Sequence, residues 1–154
     1  MRTAYKALAY LVCALVALQA ASHAWVSAGL GQYVAQGGTL DFSSEGLPPF
    51  PEALGFAIHG MNGMYVIPIV AVLLLVVAFA SRLPGAVSRA GIVIVLVVLQ
   101  VVFGLFGHSL TALAFLHGLN ALLLFAAAYV AARGVRTVEA ADPALDYVSA
   151  DRER

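Results

Sequence analysis

Residues 90–132 read AGIVIVLVVLQVVFGLFGHSLTALAFLHGLNALLLFAAAYVAA, and no Asp, Glu, Lys or Arg interrupts them. The stretch divides near its middle at Gly107-His108-Ser109, a combination that favours a tight turn. The hydrocarbon core of a bilayer is about 30 Å thick, and roughly 20 helical residues are needed to cross it. The stretch is therefore predicted to form two transmembrane helices, Ala90–Phe106 and Leu110–Ala132.

The rest of the chain has the same apolar character. The 154 residues are 62% hydrophobic and 10% charged, whereas a soluble domain carries roughly 45–50% apolar and about 25% charged residues. Two further apolar stretches, Ala7–Leu30 and Phe56–Ala80, are near spanning length. We predict an all-α integral membrane protein whose residues 1–136 form a bundle of four transmembrane helices, in contact with the lipid bilayer, and whose residues 137–154 form a disordered polar tail. The formal net charge of zero provides no basic surface for nucleic acid.

Cations mark one end of the predicted helices. No Lys or Arg occurs between Lys6 and Arg82, and the loop Gly31–Gly55 carries only acidic charges. Cytoplasmic loops of membrane proteins are enriched in Lys and Arg. We therefore predict a plasma-membrane protein with both termini, the tail and the Ser81–Arg89 loop in the cytoplasm, and the acidic loop outside.

The first predicted helix also has features of a secretory signal peptide. A basic start and an apolar run precede Ser22-His23-Ala24, which fits a small-x-small cleavage site. The apolar run continues past this site to Leu30, which makes a full span. An intact first helix is therefore the favoured interpretation, with cleavage as the alternative.

The second and fourth helices contain similar hexapeptides. His59-Gly60-Met61-Asn62-Gly63-Met64 matches His117-Gly118-Leu119-Asn120-Ala121-Leu122 with three identities, each near the outer end of its helix. The partner helices resemble each other more weakly, through Leu18-Gln19 and Leu99-Gln100. We predict two repeated helical hairpins, related by a pseudo-twofold axis along the membrane normal, as in parallel-repeat membrane proteins.

This symmetry would place His59 and His117 opposite each other. Imidazole is a common metal ligand, and haem iron can be held between axial side chains of two facing bundle helices. The sequence therefore predicts one haem b, with its iron ligated by His59 and His117. Small residues beside the ligands would make room for the flat macrocycle; these are Gly63, Ala121 and Gly104. His23 lies one turn beyond Gln19 and is predicted to line the same cavity.

Other interpretations remain open at this point. The histidines, with Asn62 and Asn120, would also serve simply to hydrogen-bond neighbouring helices. Met61 and Met64 would suit Cu(I), although the second hexapeptide has leucines in their places. A transporter is the least favoured class, because none of the four apolar stretches carries Asp, Glu, Lys or Arg for ion coupling.

The pattern resembles one four-helix half of the haem A synthases, with a histidine near the outer start of the second and fourth helices and a long first outer loop. This resemblance implies that His59 and His117 are axial ligands of a b-type haem. The catalytic half of those synthases has a carboxylate inside the membrane, which the apolar stretches here lack, so farnesyl-haem oxidation is not carried over and enzymatic activity stays open. Leu18-Gln19, Arg82-Leu83-Pro84 and residues 116–122 also resemble a family of small four-helix membrane proteins common in actinobacteria, which brings no assigned chemistry.

The leading hypothesis is thus a membrane protein that binds haem b near the outer face, for electron transfer or haem handling. A single haem in one half cannot carry electrons across about 30 Å of hydrocarbon. The expected partners are therefore quinol, an outer redox protein or a larger membrane complex. The alternative, from a different class, is a cofactor-free accessory subunit of such a complex.

Overall fold

The computed structural model describes residues 1–41 and 46–140, with side chains described to residue 135. Within these residues every regular element is helical. In chain order the elements are α1 (Arg2–Ala35), a 3₁₀ turn (Pro51–Ala53), α2 (Leu54–Met61), a π-helical turn (Asn62–Val66), α3 (Ile67–Ser81), α4 (Ala86–Phe106) and α5 (Thr111–Ala140). The remainder of the predicted tail, residues 141–154, lies outside the described residues, as do residues 42–45 of the acidic loop.

Four helical segments of the described chain are long and apolar enough to cross a membrane. They are Arg2–Ala35, Pro51–Ser81, Ala86–Phe106 and Thr111–Val135, here called spans 1 to 4. Span 2 joins the 3₁₀ turn, α2, the π-helical turn and α3 end to end. The predicted number of helices is therefore confirmed, and the all-helical fold is compatible with a membrane bundle.

Span 1 is longer than the predicted Ala7–Leu30, with 34 helical residues. At about 1.5 Å per residue its length is roughly 50 Å, more than the hydrocarbon core requires. It ends where Gly37 adopts a φ of 89°, a left-handed conformation that glycine accepts without strain and that commonly terminates helices. The amide of Gly37 donates to the carbonyl of Val34 at 3.0 Å and closes the last turn.

The four spans form a ring in chain order. Span 1 packs against span 2 on one side and against span 4 on the other, while span 3 packs between spans 2 and 4. Spans 2 and 4 therefore face each other across the bundle, as the predicted placement of the two histidines requires.

Much of the bundle core is built from small side chains, which allow close helix approach. The fully buried alanines include Ala9, Ala71, Ala90, Ala128 and Ala131. Large apolar side chains point outward instead; Phe79 is 65% exposed and Leu122 is 69% exposed. Such a contiguous apolar exterior is unfavourable in water and fits contact with the acyl chains of a bilayer.

The two ends of the bundle differ in chemistry. We call the end with the connection between spans 1 and 2 the loop end, and the end that carries Arg82 and Arg89 the arginine end. At the loop end Phe50 is buried and stacks on Tyr33 with ring centroids 5.5 Å apart, so the connection covers the bundle there. At the arginine end the buried Tyr5 hydroxyl donates to the carbonyl of Ala86 at 3.2 Å, which ties the start of span 1 to the start of span 3.

A π-helical turn occupies Asn62–Val66 in the middle of span 2. Pro68 follows in the first turn of α3, where the missing N–H of proline costs least. Single π turns inside α-helices are rare and often lie at functional sites. This one begins at Asn62, three residues after His59, and so overlaps the second half of the first histidine hexapeptide.

Candidate functional site

Three histidines meet in the loop-end half of the bundle. The ring centroid of His59, in span 2, lies 6.1 Å from that of His117 in span 4 and 5.4 Å from that of His23 in span 1. The structure therefore brings together all three histidines that the sequence assigns to one cavity. The fourth, His108, is exposed in the turn between spans 3 and 4.

In the first hairpin, spans 1 and 2, the histidine and asparagine both bond to the backbone of span 1. His59 Nδ1 lies 3.2 Å from the carbonyl oxygen of Gln19, and Asn62 Nδ2 donates to the carbonyl oxygen of Leu15 at 3.0 Å. A carbonyl oxygen only accepts hydrogen bonds, so His59 carries its proton on Nδ1 when neutral. Its Nε2 is then an unprotonated nitrogen with a free lone pair.

In the second hairpin, spans 3 and 4, the corresponding residues make the corresponding bonds. His117 Nδ1 lies 3.0 Å from the carbonyl oxygen of Gln100, and Asn120 Nδ2 donates to the carbonyl oxygen of Leu96 at 2.9 Å. Each asparagine is 5% exposed and bonds across a helix interface, which is the interhelical role that the sequence predicts for it.

The glutamine side chains differ between the hairpins. The Gln100 amide closes a network, because Asn120 Nδ2 donates to Gln100 Oε1 at 2.6 Å and Gln100 Nε2 donates to His117 Nε2 at 3.0 Å. In the first hairpin, Gln19 Oε1 and Asn62 Oδ1 are both buried and accept no hydrogen bond from any described residue. In the second hairpin the glutamine and asparagine side chains thus bond to each other, whereas in the first hairpin both side-chain oxygens lack a donor.

Two of the three small residues predicted to face a macrocycle, Gly63 and Gly104, lie against polar side chains. A Cβ on Gly63 would come within 2.5 Å of Gln19 Nε2, so the Gln19 amide lies directly over this glycine. A Cβ on Gly104 would come within 3.1 Å of His117 Cε1. Ala121 packs against the apolar core. Contact of these three residues with a cofactor stays a prediction.

Ligands for a larger metal site are not assembled in the described part of the chain. No group of three or more His, Cys, Asp or Glu residues there is arranged to hold a metal ion. Met61 and Met64 are 60% and 41% exposed, and Cys13 lies against span 4, with its Sγ 3.6 Å from the carbonyl oxygen of Phe125. The histidine pair therefore remains the candidate, since a haem iron needs only two axial side chains.

Sequence reasoning missed the partners that anchor the histidines. Both are backbone carbonyls of glutamines, Gln19 and Gln100. Every residue type has a backbone carbonyl, so the sequence does not identify which one accepts the bond. The signal that was present is the Leu-Gln pair shared by spans 1 and 3. Its pairing with the His-x-x-Asn of the next helix predicts which helices touch, but not which atoms.

The chain matches no protein-family model, and neither a curated protein nor a solved structure is similar to it at a significant level.

Proposed function

We propose that this chain is an integral membrane protein that binds one haem b between His59 and His117, in the half of the membrane nearest the loop end. The observation that carries the proposal is the approach of these two imidazoles from opposite helices to 6.1 Å between ring centroids, each with Nδ1 at a backbone carbonyl.

The ring spacing supports a shared metal. A metal–imidazole bond is about 2.0 Å long and a ring nitrogen lies about 1.2 Å from the ring centre, so an ion in line between the nitrogens of two rings separates their centroids by at most roughly 6.4 Å. The observed 6.1 Å is close to that value. Packed rings also lie about 4.5–7 Å apart, so the spacing supports a shared metal only together with the bonds at Nδ1 of both rings.

The hydrogen bonds support the same assignment. A metal-bound histidine typically donates its other ring N–H to a carbonyl or carboxylate, which fixes the tautomer and the ring orientation. The bonds at Gln19 and Gln100 would do this for His59 and His117, with Nε2 as the ligand atom. At His117 the ligand would replace the Gln100 amide at Nε2. A bound haem would supply one-electron chemistry there.

The proposed setting follows the charge pattern. We place the arginine end in the cytoplasm by the positive-inside rule, so the histidines lie near the outer face of the plasma membrane. There the protein would exchange electrons with quinol, an outer redox protein or a larger membrane complex, or would handle haem itself. We also interpret the matched bonds of the two hairpins as the remains of a duplicated hairpin.

An absorption spectrum of the protein purified from haem-replete cells tests the proposal. We expect a Soret band that shifts on reduction. His59→Ala and His117→Ala should each remove most of the haem or produce a high-spin, five-coordinate spectrum, because the iron loses one of two strong-field nitrogens. His108→Ala is the matched control, since His108 is an exposed histidine of the same half. A featureless visible spectrum in the wild-type protein would refute haem binding.

A second candidate function is favoured by the closed network of Gln100, Asn120 and His117. A cofactor-free accessory subunit would use these bonds to hold spans 3 and 4 together. In that case the protein would be colourless, and His117→Ala would lower its unfolding stability without any spectral change.

A further inference from the structure

The structure assigns a second site, in which Gln19 and Asn62 bind a ligand that donates hydrogen bonds through a hydroxyl group. This site does not depend on haem. We define it by the two side-chain oxygens Gln19 Oε1 and Asn62 Oδ1, and by Gly63, over which the Gln19 amide lies, and call it the amide site.

Neither oxygen of the amide site has a hydrogen-bond donor among the described residues. Asn62 is 95% buried, and its Nδ2 is already committed to the carbonyl of Leu15. Exchanging its amide nitrogen and oxygen would set two carbonyl oxygens against each other, so the orientation is fixed and Oδ1 remains without a donor. Within a bilayer, a polar atom left unpaired is costly, because the surrounding hydrocarbon offers no hydrogen-bond donor.

The glutamine of the other hairpin is bonded. There Gln100 Oε1 accepts a hydrogen bond from Asn120 Nδ2, so the same residue types satisfy each other. In the first hairpin the Gln19 amide is instead laid over Gly63, and a methyl group at that position would collide with its Nε2. The corresponding residue of the second hairpin is Ala121. A glycine in span 2 thus permits the glutamine position that leaves both oxygens bare.

The two bare oxygens determine the chemical class of the ligand. Both groups are neutral acceptors, so the ligand must donate. A cation is disfavoured, since two amide oxygens without a carboxylate do not offset the cost of moving a charge into hydrocarbon. A neutral hydroxyl carries no such cost. Its source is either a water molecule or the hydroxyl group of a membrane quinol.

The experiment measures the thermal unfolding midpoint of the purified full-length protein in detergent micelles. The test variant is Gln19→Met, which keeps the side-chain length and removes the oxygen; Gln19 Oε1 accepts no hydrogen bond from any described residue, so no protein hydrogen bond to that oxygen is lost. Gln100→Met is the matched variant, in which a bonded amide is lost, and it sets the size of the drop to expect. Ubiquinol-1 and its dimethyl ether, which cannot donate, are the two added probes.

The outcomes of this experiment distinguish water from a quinol as the hydrogen-bond donor. If water is the donor, Gln19→Met lowers the midpoint without any probe. If a quinol is the donor, ubiquinol-1 raises the midpoint of the wild-type protein, the dimethyl ether does not, and Gln19→Met abolishes the rise. The proposal is overturned if Gln19→Met keeps or raises the midpoint and ubiquinol-1 has no effect that depends on Gln19. In that case the Gln19 oxygen has no bound donor, because its removal costs no stability. The protein is purified without added haem, so a failure of haem binding leaves both readouts unaffected.

Discussion

Asn120 and Gln100 should be energetically coupled, and the coupling can be measured by a double-mutant cycle. Asn120→Leu removes two hydrogen bonds, one to the carbonyl of Leu96 and one to Gln100 Oε1. Gln100→Met also removes two, one from Asn120 and one to His117. The two variants share one bond, so the double variant loses three bonds and not four.

The expected magnitude follows from this count. Interhelical hydrogen bonds in membrane proteins contribute about 0.6 kcal/mol on average and up to about 1.7 kcal/mol. Each single variant should therefore lower the free energy of unfolding by roughly 1–3 kcal/mol. The double variant should lose less than the sum of the singles by one bond, or about 0.6–1.7 kcal/mol.

The assay is reversible unfolding of protein purified without added haem, in mixed micelles of increasing SDS mole fraction, followed by far-UV circular dichroism. Tyr5→Phe provides the control cycle, because Tyr5 lies at the arginine end and shares no bond with Asn120. Its combination with Asn120→Leu should be additive within about 0.3–0.5 kcal/mol. If Asn120→Leu and Gln100→Met were equally additive, the bond between the two side chains would contribute nothing to stability and the closed network would be wrong.

Three further predictions concern topology and packing. In a cysteine-free background, Thr39→Cys should react with an impermeant thiol reagent in intact cells and Ser88→Cys should not; the reverse labelling would contradict the proposed orientation. Tyr5→Phe should lower the free energy of unfolding by about 0.5–1.5 kcal/mol, because a buried hydroxyl loses its bond to a backbone carbonyl, and an unchanged unfolding curve would argue against that bond. Gly118→Ala should leave the free energy of unfolding unchanged or raise it, since no atom lies within 4 Å of the added methyl group. Gly104→Ala should be less stable than Gly118→Ala, because its methyl group meets His117 at 3.1 Å. Equal stability of the two variants in the same unfolding assay would refute this contact.

The number of spans and the meeting of the histidines could be predicted from the sequence, for physical reasons that can be stated. Charged residues are excluded from hydrocarbon, so the gaps between them delimit the helices. The repeated His-x-x-Asn placed His59 and His117 at matched positions, and the structure brings them to 6.1 Å. Helix length was predicted less well, because nothing in span 1 forbids the helix from continuing out of the membrane until Gly37.

The inequality of the two hairpins could not be predicted. It depends on whether a glutamine amide turns toward its neighbouring asparagine or lies over a glycine, and the residue types Gln19 and Gln100 are identical. Two sequence differences beside that contact are Gly63 against Ala121 and, one turn beyond the glutamines, His23 against Gly104. The π-helical turn at Asn62–Val66 was equally invisible, because its residues have no composition that distinguishes it from an α-helical turn.

The bonds of the His-x-x-Asn residues have a consequence for how the chain enters the membrane. His59 and Asn62 bond only to span 1, and His117 and Asn120 only to span 3. Span 1 also packs against span 4, so the ring closes only when the last helix has entered. Each pair of helices can nevertheless pass into lipid with its asparagine and imidazole donors already satisfied by its own partner. We therefore expect the helix pair, and not the single helix, to be the unit that enters the bilayer. Assembly of the two pairs then depends on apolar packing, on the bond between Tyr5 and Ala86, and on the contact of Cys13 with the Phe125 carbonyl.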